Sequence, residues 1–538
     1  MLYSGNKLPS MRDYPYFMRL VLTLAFLAAA SLRGAELGVP VSTAATAAPS
    51  GPLSLEKAID RTLLFNLGLT VTRLDALRSL DAVDVSEAVF DPSLSWTNRL
   101  NGSHLYADIT GGDPAARSHD SDVALSQKYT WGGTLSVGAG LTRSWGDSGS
   151  LATASRYDLG TNIAYTQPLL AGGWRAVNLT VLISARQTAY RNRLSLRAAS
   201  LDLIRDTEVA YWSLAGARTL VSLRETSLRS AESLLAQIRA KRSLGDATVL
   251  EELQAEADVA SQRVAVLNAR QSLDSAEMNL RRLLGQGDAA AVEQALLVDE
   301  LPTAAVPAPQ PFASWIRTVA DFDFGTAIQL SNIAQAEAGV AQAEQNDHPS
   351  LNLSVGSSRF GNPGTGVSGG FDAYRQQAGW SNYAELRLSF PLGFRESEAN
   401  LRSAYRARRQ AELRLADARQ SLVFGARASW RDLEAARARV DAATSSLELQ
   451  RKSYEGERAR YDAGQSDVLR VLQAQAALDS AQLNWVQSHL DARAASAKVA
   501  RLDGSILSRH GFTMDAVEQK IGAGLGAEDP LPPLIVSP

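Results

Sequence analysis

Two kinds of hydrophobic pattern divide this chain. In six short segments, apolar and polar residues alternate with a period of two, which is typical of strands with one apolar face. Stretches rich in Gly, Ser and Asp separate them at 107–121, 146–155 and 361–379, and these predict exposed loops. The apolar positions of the six segments are Leu94 and Trp96; Val123, Leu125 and Tyr129; Leu135, Val137, Ala139 and Leu141; Tyr157, Leu159, Ile163 and Tyr165; Leu351, Leu353 and Val355; and Ala384, Leu386, Leu388 and Phe390.

The second pattern fills two long regions without proline, 169–301 and 392–529. Both are rich in Ala, Leu, Arg, Glu and Gln, which are strong helix formers, and apolar residues recur every three or four positions. Each region has a glycine near its centre, Gly245 and Gly464. We therefore expect two antiparallel helical hairpins that turn at these glycines, with arms on the order of 100 Å long.

The two halves of the chain resemble each other. The segment from Gly245 to Gly285 aligns with the segment from Gly464 to Gly504 at a constant offset of 219. Within it, Leu250, Leu253, Gln254, Ala255 and Ala257 coincide with Leu469, Leu472, Gln473, Ala474 and Ala476. An internal duplication is the simplest interpretation, although two alanine-rich helices can also resemble each other by chance.

The N-terminus has the order of a secretory signal. Lys7, Arg12 and Arg19 precede an apolar stretch from Leu20 to Leu32, and small residues follow. A buried N-terminal helix is the alternative. The expected order of parts is a signal peptide (1–35), an N-terminal linker (36–53), a first repeat (54–300, with strands in 92–167 and a helical hairpin in 172–285), a Pro/Ala-rich linker (301–325), a second repeat (326–504, with a β-hairpin in 350–391 and a helical hairpin in 395–504) and a C-terminal tail (505–538).

Composition argues against several classes of function. The 54 Lys and Arg residues are outnumbered by 57 Asp and Glu residues, so no basic surplus favours nucleic acid as a partner. The chain contains no cysteine, which excludes disulfides, thiolate metal sites and a catalytic cysteine.

Motifs of catalysis are weak. The segment 146–150 resembles a serine-protease nucleophile sequence, but it lies in a predicted loop. The glycines of 364–369 fit a dinucleotide-binding spacing, and we interpret them as an exposed loop with no helix after it. We therefore expect no enzyme activity, no catalytic residues, no cofactor and no metal.

The strands suggest how an exported chain without a hydrophobic helix could cross a membrane. A closed β-barrel pairs every backbone group and can turn its apolar side chains toward lipid. Six strands are too few for one chain, since at least eight are needed, so the barrel must be shared between subunits. Three chains would supply 12 strands with four each or 18 with six each. Tryptophans 96, 131, 145, 174 and 380 would mark the membrane interfaces, and the polar residues Glu385 and Arg387 would line the pore.

These segments resemble the outer-membrane efflux protein (TolC-like) family. The most specific stretches are Phe90–Leu94, Leu125–Gln127 with Trp131–Leu135, Tyr165–Gly173 and Tyr461–Gln475. The resemblance implies an α+β membrane protein in which duplicated helical hairpins form a periplasmic coiled-coil α-barrel continuous with a transmembrane β-barrel shared by three subunits. It further implies a homotrimer in the outer membrane of a Gram-negative bacterium, in contact with outer-membrane lipid.

The same resemblance implies partners and a site. Such channels are passive exit ducts of tripartite efflux pumps or type I secretion systems, and a periplasmic adaptor (membrane fusion protein) links them to an inner-membrane pump. Family members contact adaptors and close their pores at the periplasmic helix tips, although tip residues can also merely cap and solvate the turns. The tips map here to Arg242, Leu244, Gly245, Asp246, Tyr461, Gly464, Asp467 and Arg470.

One departure from the family concerns charge. The acidic rings that some members carry after the second turn would fall on Arg470 and Gln473. Glu251 and Glu252 are the nearest alternative source of negative charge, if they are not simply solvated. The alternative function is a periplasmic coiled-coil adaptor or scaffold without a pore, in which the strands would form a soluble domain.

Overall fold

The computed structural model describes residues 53–104, 115–148, 151–287, 296–361, 364–376, 378–390 and 392–523. All of them belong to one compact unit, Ala47–Pro538. The predicted signal peptide, nearly all of the predicted N-terminal linker and the proline-rich end of the tail lie outside the described residues.

Helices make up most of the described chain, as the sequence predicts. They are α1 (Leu55–Phe65), α2 (Leu67–Glu87), α3 (Arg175–Asn178), α4 (Thr180–Ser243), α5 (Val249–Leu283), α6 (Phe312–Phe322), α7 (Phe324–Asn346), α8 (Gly366–Gln376), α9 (Arg395–Asp462), α10 (Val468–Leu502), α11 (Ser505–Arg509) and α12 (Met514–Ala523).

The two predicted helical hairpins are confirmed. Helices α4 and α9 have 64 and 68 residues, so each is about 95 to 100 Å long at 1.5 Å per residue. Each is followed by a turn through a glycine with positive φ, 86° at Gly245 and 74° at Gly464, where a Cβ atom would be strained. The returning helices α5 and α10 have 35 residues each and begin and end at positions related by the same offset of 219. The elements therefore repeat as the sequence does.

The six predicted strands are also confirmed, and they form one sheet. They are β1 (Ser93–His104), β2 (Ala115–Lys128), β3 (Thr134–Ser148), β4 (Leu151–Pro168), β5 (Ser350–Phe360) and β7 (Gly379–Ser389), with a two-residue strand β6 (Gly364–Thr365) beside β4. The order is β1-β2-β3-β4-β5-β7, and every pairing in the sheet is antiparallel. The pairing of β4 with β5 joins the two halves of the chain.

All three loop predictions were wrong in part. Strands β2, β3 and β4 extend into 107–121 and 146–155. Helix α8 occupies much of 361–379 and begins at Gly366, within the glycine-rich motif that we expected to lack a helix. The helix forms because its Gly370 and Tyr374 pack against β4, a tertiary contact that local sequence does not encode. The antiparallel strands around it still do not form a βαβ unit.

The predicted linker and tail contain ordered helices. Helix α6, within 301–325, buries Trp315 and Val319 against α9 and α10, and the Trp315 indole donates to Asp503 at 2.8 Å. Helices α11 and α12, within 505–538, bury Ile506 and Val517 in a cluster with α1, α2 and α4. These helices are too short for the periodicity of their apolar residues to stand out in the sequence beside that of the long hairpins.

No described helix contains an 18-residue window that is apolar enough to cross a membrane.

Candidate functional site: the two-faced sheet and the paired helix tips

The register of the sheet places its apolar residues on one face. Opposed residues of antiparallel strands point to the same side, and successive residues alternate. One row runs across all six long strands through Trp96, Val123, Ala139, Thr161, Arg359 and Trp380. We call the face that includes this row the apolar face; its hydrophobic members include Leu94, Trp96, Leu100, Val123, Leu125, Leu135, Val137, Ala139, Leu141, Leu159, Ile163, Tyr165, Leu351, Leu353, Val355, Ala384, Leu386 and Leu388.

Many of these hydrophobic side chains are exposed. Leu94 is 71% exposed, Leu100 73% and Leu386 64%. A contiguous exposed apolar surface of this kind marks contact with a partner or a membrane, since soluble monomers avoid it. The face is therefore a candidate contact surface rather than part of a core.

The opposite, polar face carries the hydrophilic positions of the same strands. Glu385 and Arg387 lie there on β7, and the Arg387 guanidinium pairs with the Glu385 carboxylate at 2.7 Å in an exposed setting. The structure thus brings both predicted pore-lining residues together on the side of the sheet away from the leucines. Other described members are Ser93, Ser95, Thr97, Arg99, Asp120, Asp122, Ser126, Lys128, Thr134, Ser136, Arg156, Asp158, Asn162, Asn352 and Ser354.

An aromatic cluster lies at the end of the sheet nearest the helices. The rings of Tyr129 and Trp131 stack at 4.6 Å, the Trp131 indole donates to the Tyr165 hydroxyl at 3.0 Å, and that hydroxyl donates to Gln167 at 2.7 Å. Amphipathic rings with satisfied polar ends are typical of membrane interfaces. Of the other tryptophans predicted there, Trp174 lies at the start of α3, Trp145 and Trp380 lie toward the other end of the strands, and Trp96 lies within the hydrophobic surface.

The two helix tips pack together, although they are far apart in the sequence. The buried cluster around them joins all four long helices and includes Ile238 of α4, Val259 of α5, Tyr461 of α9 and Val468 of α10. The Arg458 guanidinium also donates to Gln237 at 2.7 Å, which links α9 to α4. The structure therefore brings the predicted tip residues of both repeats into one region.

Ion pairs join α4 and α5 at the first tip, which is the turn between these two helices. Glu252 accepts from Arg242 and, at 3.1 Å, from Arg239, which also reaches Glu256 at 2.5 Å. The hydrogen bond from Arg242, followed by the one from Arg239, holds the pKa of Glu252 below its ordinary value. Glu252 thus stays ionised over the physiological pH range. These arginines balance the negative charge of Glu252. This balance weakens the suggestion from the sequence that Glu252 supplies free negative charge near the turns.

Burial distinguishes Tyr461 from the other tip residues. Its ring is 6% exposed, and the Lys241 ammonium lies 4.1 Å from the ring centroid. Burial raises the pKa of the Tyr461 hydroxyl, with a further contribution from Glu251, so it remains neutral. Tyr461 therefore contributes to the packing between the two tips.

The remaining tip residues lie in the turns. Asp467 caps α10 by accepting the backbone N–H of Arg470 at 2.9 Å, and Thr248 forms a capping box with Glu251 at the equivalent position of α5. Leu244 is 77% exposed, and the Asp246 N–H donates to the carbonyl of Lys241. Capping is thus one observed role of Asp467, and Leu244 is available to a partner.

Sequence reasoning missed a buried polar cluster farther up the helices. Asp479, 6% exposed, accepts from Ser227 at 2.7 Å and Gln262 at 2.8 Å, and Arg224 lies 3.6 Å away. Asp258 lies one turn from Gln262, and burial, together with the charge of Asp479, raises its pKa. The sequence signal that could have revealed this cluster is a pair of polar residues four positions apart on each of two alanine-rich helices, α5 and α10. Within the described residues, no group of three or more His, Cys, Asp or Glu side chains could hold a metal ion.

A family model described as outer membrane efflux protein matches residues 121–286 and 327–505, which together are more than half of the chain. No curated protein sequence matches this chain.

Solved structures share the fold. The Campylobacter jejuni CmeC outer membrane channel is 15% identical with a TM-score of 0.64, covering 88% of this chain and 90% of its own. A Pseudomonas aeruginosa membrane protein is 20% identical with a TM-score of 0.63, covering 84% and 90%. The Vibrio cholerae outer membrane protein VceC is 15% identical with a TM-score of 0.60, covering 88% and 97%.

Proposed function

Because this chain belongs to the outer membrane efflux protein family, we propose that it is the passive exit duct of a tripartite efflux pump in the outer membrane of a Gram-negative bacterium. Three copies form the duct. Their sheets close into one transmembrane β-barrel, and their long helices extend it into the periplasm as a coiled-coil α-barrel. Type I secretion of a polypeptide is a second use of the same duct.

The observation that carries this proposal is the oblique course of the hydrophobic surface across the sheet. On β1 it is centred near Trp96, whose row leads to Trp380 on β7. On β7 it is centred on Leu386, about six residues nearer the helices, which is roughly 20 Å along the strand. The six long strands are separated by five interstrand steps of about 4.8 Å each. Over that width, the shift means that the strands are tilted by about 40° from the normal to a membrane plane that follows the hydrophobic surface. Transmembrane barrels have strands tilted by roughly 35–45°.

The sheet also supports sharing between subunits. Among the described strands, β1 pairs on one side with β2, and β7 pairs on one side with β5, so both outer edges are left for a neighbour. Exposed edges invite pairing with another chain. Six long strands from each of three copies give 18, the larger of the two numbers expected from the sequence.

The paired tips are the proposed site of opening and adaptor docking. Arg242, Leu244, Gly245, Asp246, Tyr461, Gly464, Asp467 and Arg470 lie at or beside the two turns. The Arg239–Glu256 ion pair of the first tip is exposed, and such a pair contributes little stability. A docking adaptor could therefore exchange it at little cost. The substrate passes along the polar face of the sheet, beside Glu385 and Arg387.

Fractionation and conductance test the proposal together. The protein should be found in the outer membrane, migrate as a heat-resistant trimer in SDS and form conducting pores in planar bilayers. A soluble monomer without conductance would reject the duct and favour an adaptor or scaffold. Crosslinking followed by purification of the complex would then identify the periplasmic partner.

A further inference from the structure

Helices α4 and α10 pack together along a seam within the chain. Helices α9 and α10 correspond to α4 and α5 at the offset of 219, at which both long helices end and both returning helices begin and end. In the seam, Val468 of α10 shares a buried cluster with Ile238 of α4, and Val486 shares one with Ala215. Within the described residues, the corresponding helices α5 and α9 have no such seam, so each keeps an uncovered face.

The uncovered face of α5 is apolar. Val486 of α10 is 3% exposed, whereas its counterpart on α5, Leu267, is 63% exposed. Val468 is fully buried, and its counterpart Val249 is exposed. Exposed apolar residues along one side of a helix indicate a partner. We call this surface the α5 face; it comprises Val249, Leu253, Ala260, Val264, Leu267, Gln271 and Met278, which recur every three, four or seven residues and are all exposed.

Helix α9 has an uncovered face of mostly small residues. Gly216 and Ser227 of α4 are buried in the seam, whereas their counterparts on α9, Ala435 and Ser446, are exposed. On the same side of α9, Phe424 is 73% exposed. We call this surface the α9 face; it comprises Leu413, Phe424, Ala428, Ala435, Ala442 and Ser446, all of them exposed.

Contacts within the chain give the register of the seam. The Ser227 hydroxyl donates to Asp479 at 2.7 Å, and a Cβ atom added to Gly216 would lie 2.9 Å from a methyl group of Leu490. The two helices are antiparallel, since the numbers fall along α4 as those of the opposite residues rise along α10. Ser227 thus lies opposite Asp479, and Gly216 opposite Leu490.

Transferred to α9 and α5 by the offset of 219, this register sets large residues against small ones. Val264 of the α5 face falls opposite Ala442 of the α9 face, and Met278 falls opposite Ala428. Close packing between helices favours large side chains facing small ones. The α5 face and the α9 face are therefore complementary in the register that the chain already uses.

Only a second copy can bring the two faces together. In one chain, α5 packs on α4, α4 packs on α10, and α10 packs on α9. The α5 face and the α9 face therefore lie at opposite ends of this row of helices. The occupant of each face is the other face on a neighbouring copy.

Near the sheet, α2 and α7 repeat the same relation. They begin 257 residues apart, at Leu67 and at Phe324. Helix α7 packs on α9 and on α4, and its Ser331 hydroxyl donates to Gln187 of α4 at 2.7 Å. Ser331 is buried there, whereas its counterpart on α2, Leu74, is 51% exposed. In a second copy, α2 would occupy the place beside α9 that α7 occupies beside α4 within the chain.

The edges of the sheet lie on the same two sides. Within the chain, β4 precedes α3 and α4 and pairs with β5, which follows α7. By the repeat, β7, which precedes α9, corresponds to β4, and β1, which follows α2, corresponds to β5. Strands β7 and β1 are the two outer strands of the path β1-β2-β3-β4-β5-β7. Pairing of β7 with β1 of a second copy would thus continue the contact made by the helices.

We propose that the α5 face of one copy docks on the α9 face of a second copy in the register of the seam between α4 and α10, with α2 beside it in the place of α7. The inference rests on the proposed function, in which copies of the chain assemble. Such a contact is heterologous, because each copy uses a different face for each neighbour, and it can close into a ring. Three copies then form a ring of helical hairpins joined alternately by the seam within a chain and the seam between chains.

Disulfide crosslinking tests this register, because the chain has no cysteine of its own. The double variant Gln271→Cys/Ala435→Cys changes the counterparts of Leu490 and Gly216, and it should give covalent dimers and trimers when membranes are oxidised. The matched control, Ala257→Cys/Ala435→Cys, moves the first cysteine by 14 residues, about 21 Å along α5, and should not crosslink. Neither cysteine should crosslink copies when it is introduced alone.

A charge on the α5 face tests the contact without a crosslink. Leu267→Glu places a carboxylate in the proposed apolar contact, where its desolvation is unfavourable. Its trimer should dissociate in SDS at a lower temperature than the parent trimer. Ser272→Glu, exposed on another side of α5, is the control and should dissociate as the parent does. An unchanged dissociation temperature for Leu267→Glu would contradict the proposal.

Failure of this contact and failure of the proposed function give different results. Equal crosslinking of the two double variants would overturn the proposal. A crosslink in cells from residue 271 to a different periplasmic protein would also overturn it and assign the α5 face to that protein. If the parent remains a monomer, the proposed function fails as well; if it forms a conducting trimer that does not crosslink through residues 271 and 435, only the proposed contact fails.

Discussion

Single residues at the tips combine structural and electrostatic roles, and Asp467 shows how the two can be separated. Its carboxylate caps α10 through the N–H of Arg470, and its negative charge lies in the proposed docking region. Asn caps a helix about as well as Asp, whereas Ala does not. Substitution of Asp467 by Asn or by Ala therefore distinguishes its role as a helix cap from a role of its negative charge in gating.

We predict that Asp467→Asn leaves the unfolding free energy within a few tenths of a kcal/mol, while Asp467→Ala lowers it by about 1 kcal/mol. If the proposed function is correct, charge reversal at Asp246 or Asp467 should change resting conductance or coupling to the proposed adaptor without dissociating the proposed trimer. Bilayer recordings and efflux complementation measure these effects. Unchanged conductance and efflux in the reversed variants would remove both residues from the gate.

The half-buried Asp258 makes stability depend on pH. Burial, with the nearby charge of Asp479, raises its pKa, although the bond from Gln262 opposes the shift. A carboxyl group whose pKa is raised by folding favours the folded state below its unfolded pKa, and that contribution is lost as pH rises through its folded pKa.

We therefore predict that Asp258→Asn is more thermally stable than the parent at pH 8 and equally stable at about pH 3.5, below the ordinary pKa of aspartate. Asp274→Asn, an exposed position on the same helix, is the control and should show no such pH dependence. Thermal unfolding as a function of pH measures both. A constant difference between Asp258→Asn and the parent at every pH would contradict the account.

At the scale of elements, the sequence predicted what is periodic and repeated. The offset of 219 located both turns, and the alternation of apolar residues located all six long strands. Helix α8 was missed because three of its first five residues are glycine and because its stability comes from contact with Tyr157 and Thr161 of β4. Helices α6, α11 and α12 were missed because they are short and depend on distant core residues.

The glycine turn itself can be tested by a matched pair of substitutions. Gly464→Ala places a side chain at φ 74° and should destabilise the protein by about 1–3 kcal/mol. Gly456→Ala, eight residues earlier within α9, has open space around it and a helical backbone, so it should stabilise by about 0.4–1 kcal/mol. Chemical denaturation compares the two. Similar effects from both substitutions would argue against a left-handed turn at Gly464.

At the scale of the whole molecule, the proposed function depends on contacts between segments that are distant in the sequence. Alternation in each strand was visible in the sequence, but the oblique course of the hydrophobic surface requires the register between strands. The pairing of β4 with β5 likewise joins segments almost two hundred residues apart. The contact between the tips depends on how four long helices pack, and the polar cluster of Asp258, Gln262 and Asp479 depends on the same packing.

The central claim is that lipid covers the apolar face and water covers the polar face. Because the chain has no cysteine, single cysteines can be placed along it and spin-labelled in liposomes. We predict that labels at Leu125 and Val137 are more accessible to oxygen, which concentrates in lipid, and that labels at Ala124 and Ser136 are more accessible to a water-soluble nickel chelate. Equal accessibility to the nickel chelate at all four positions would contradict the account.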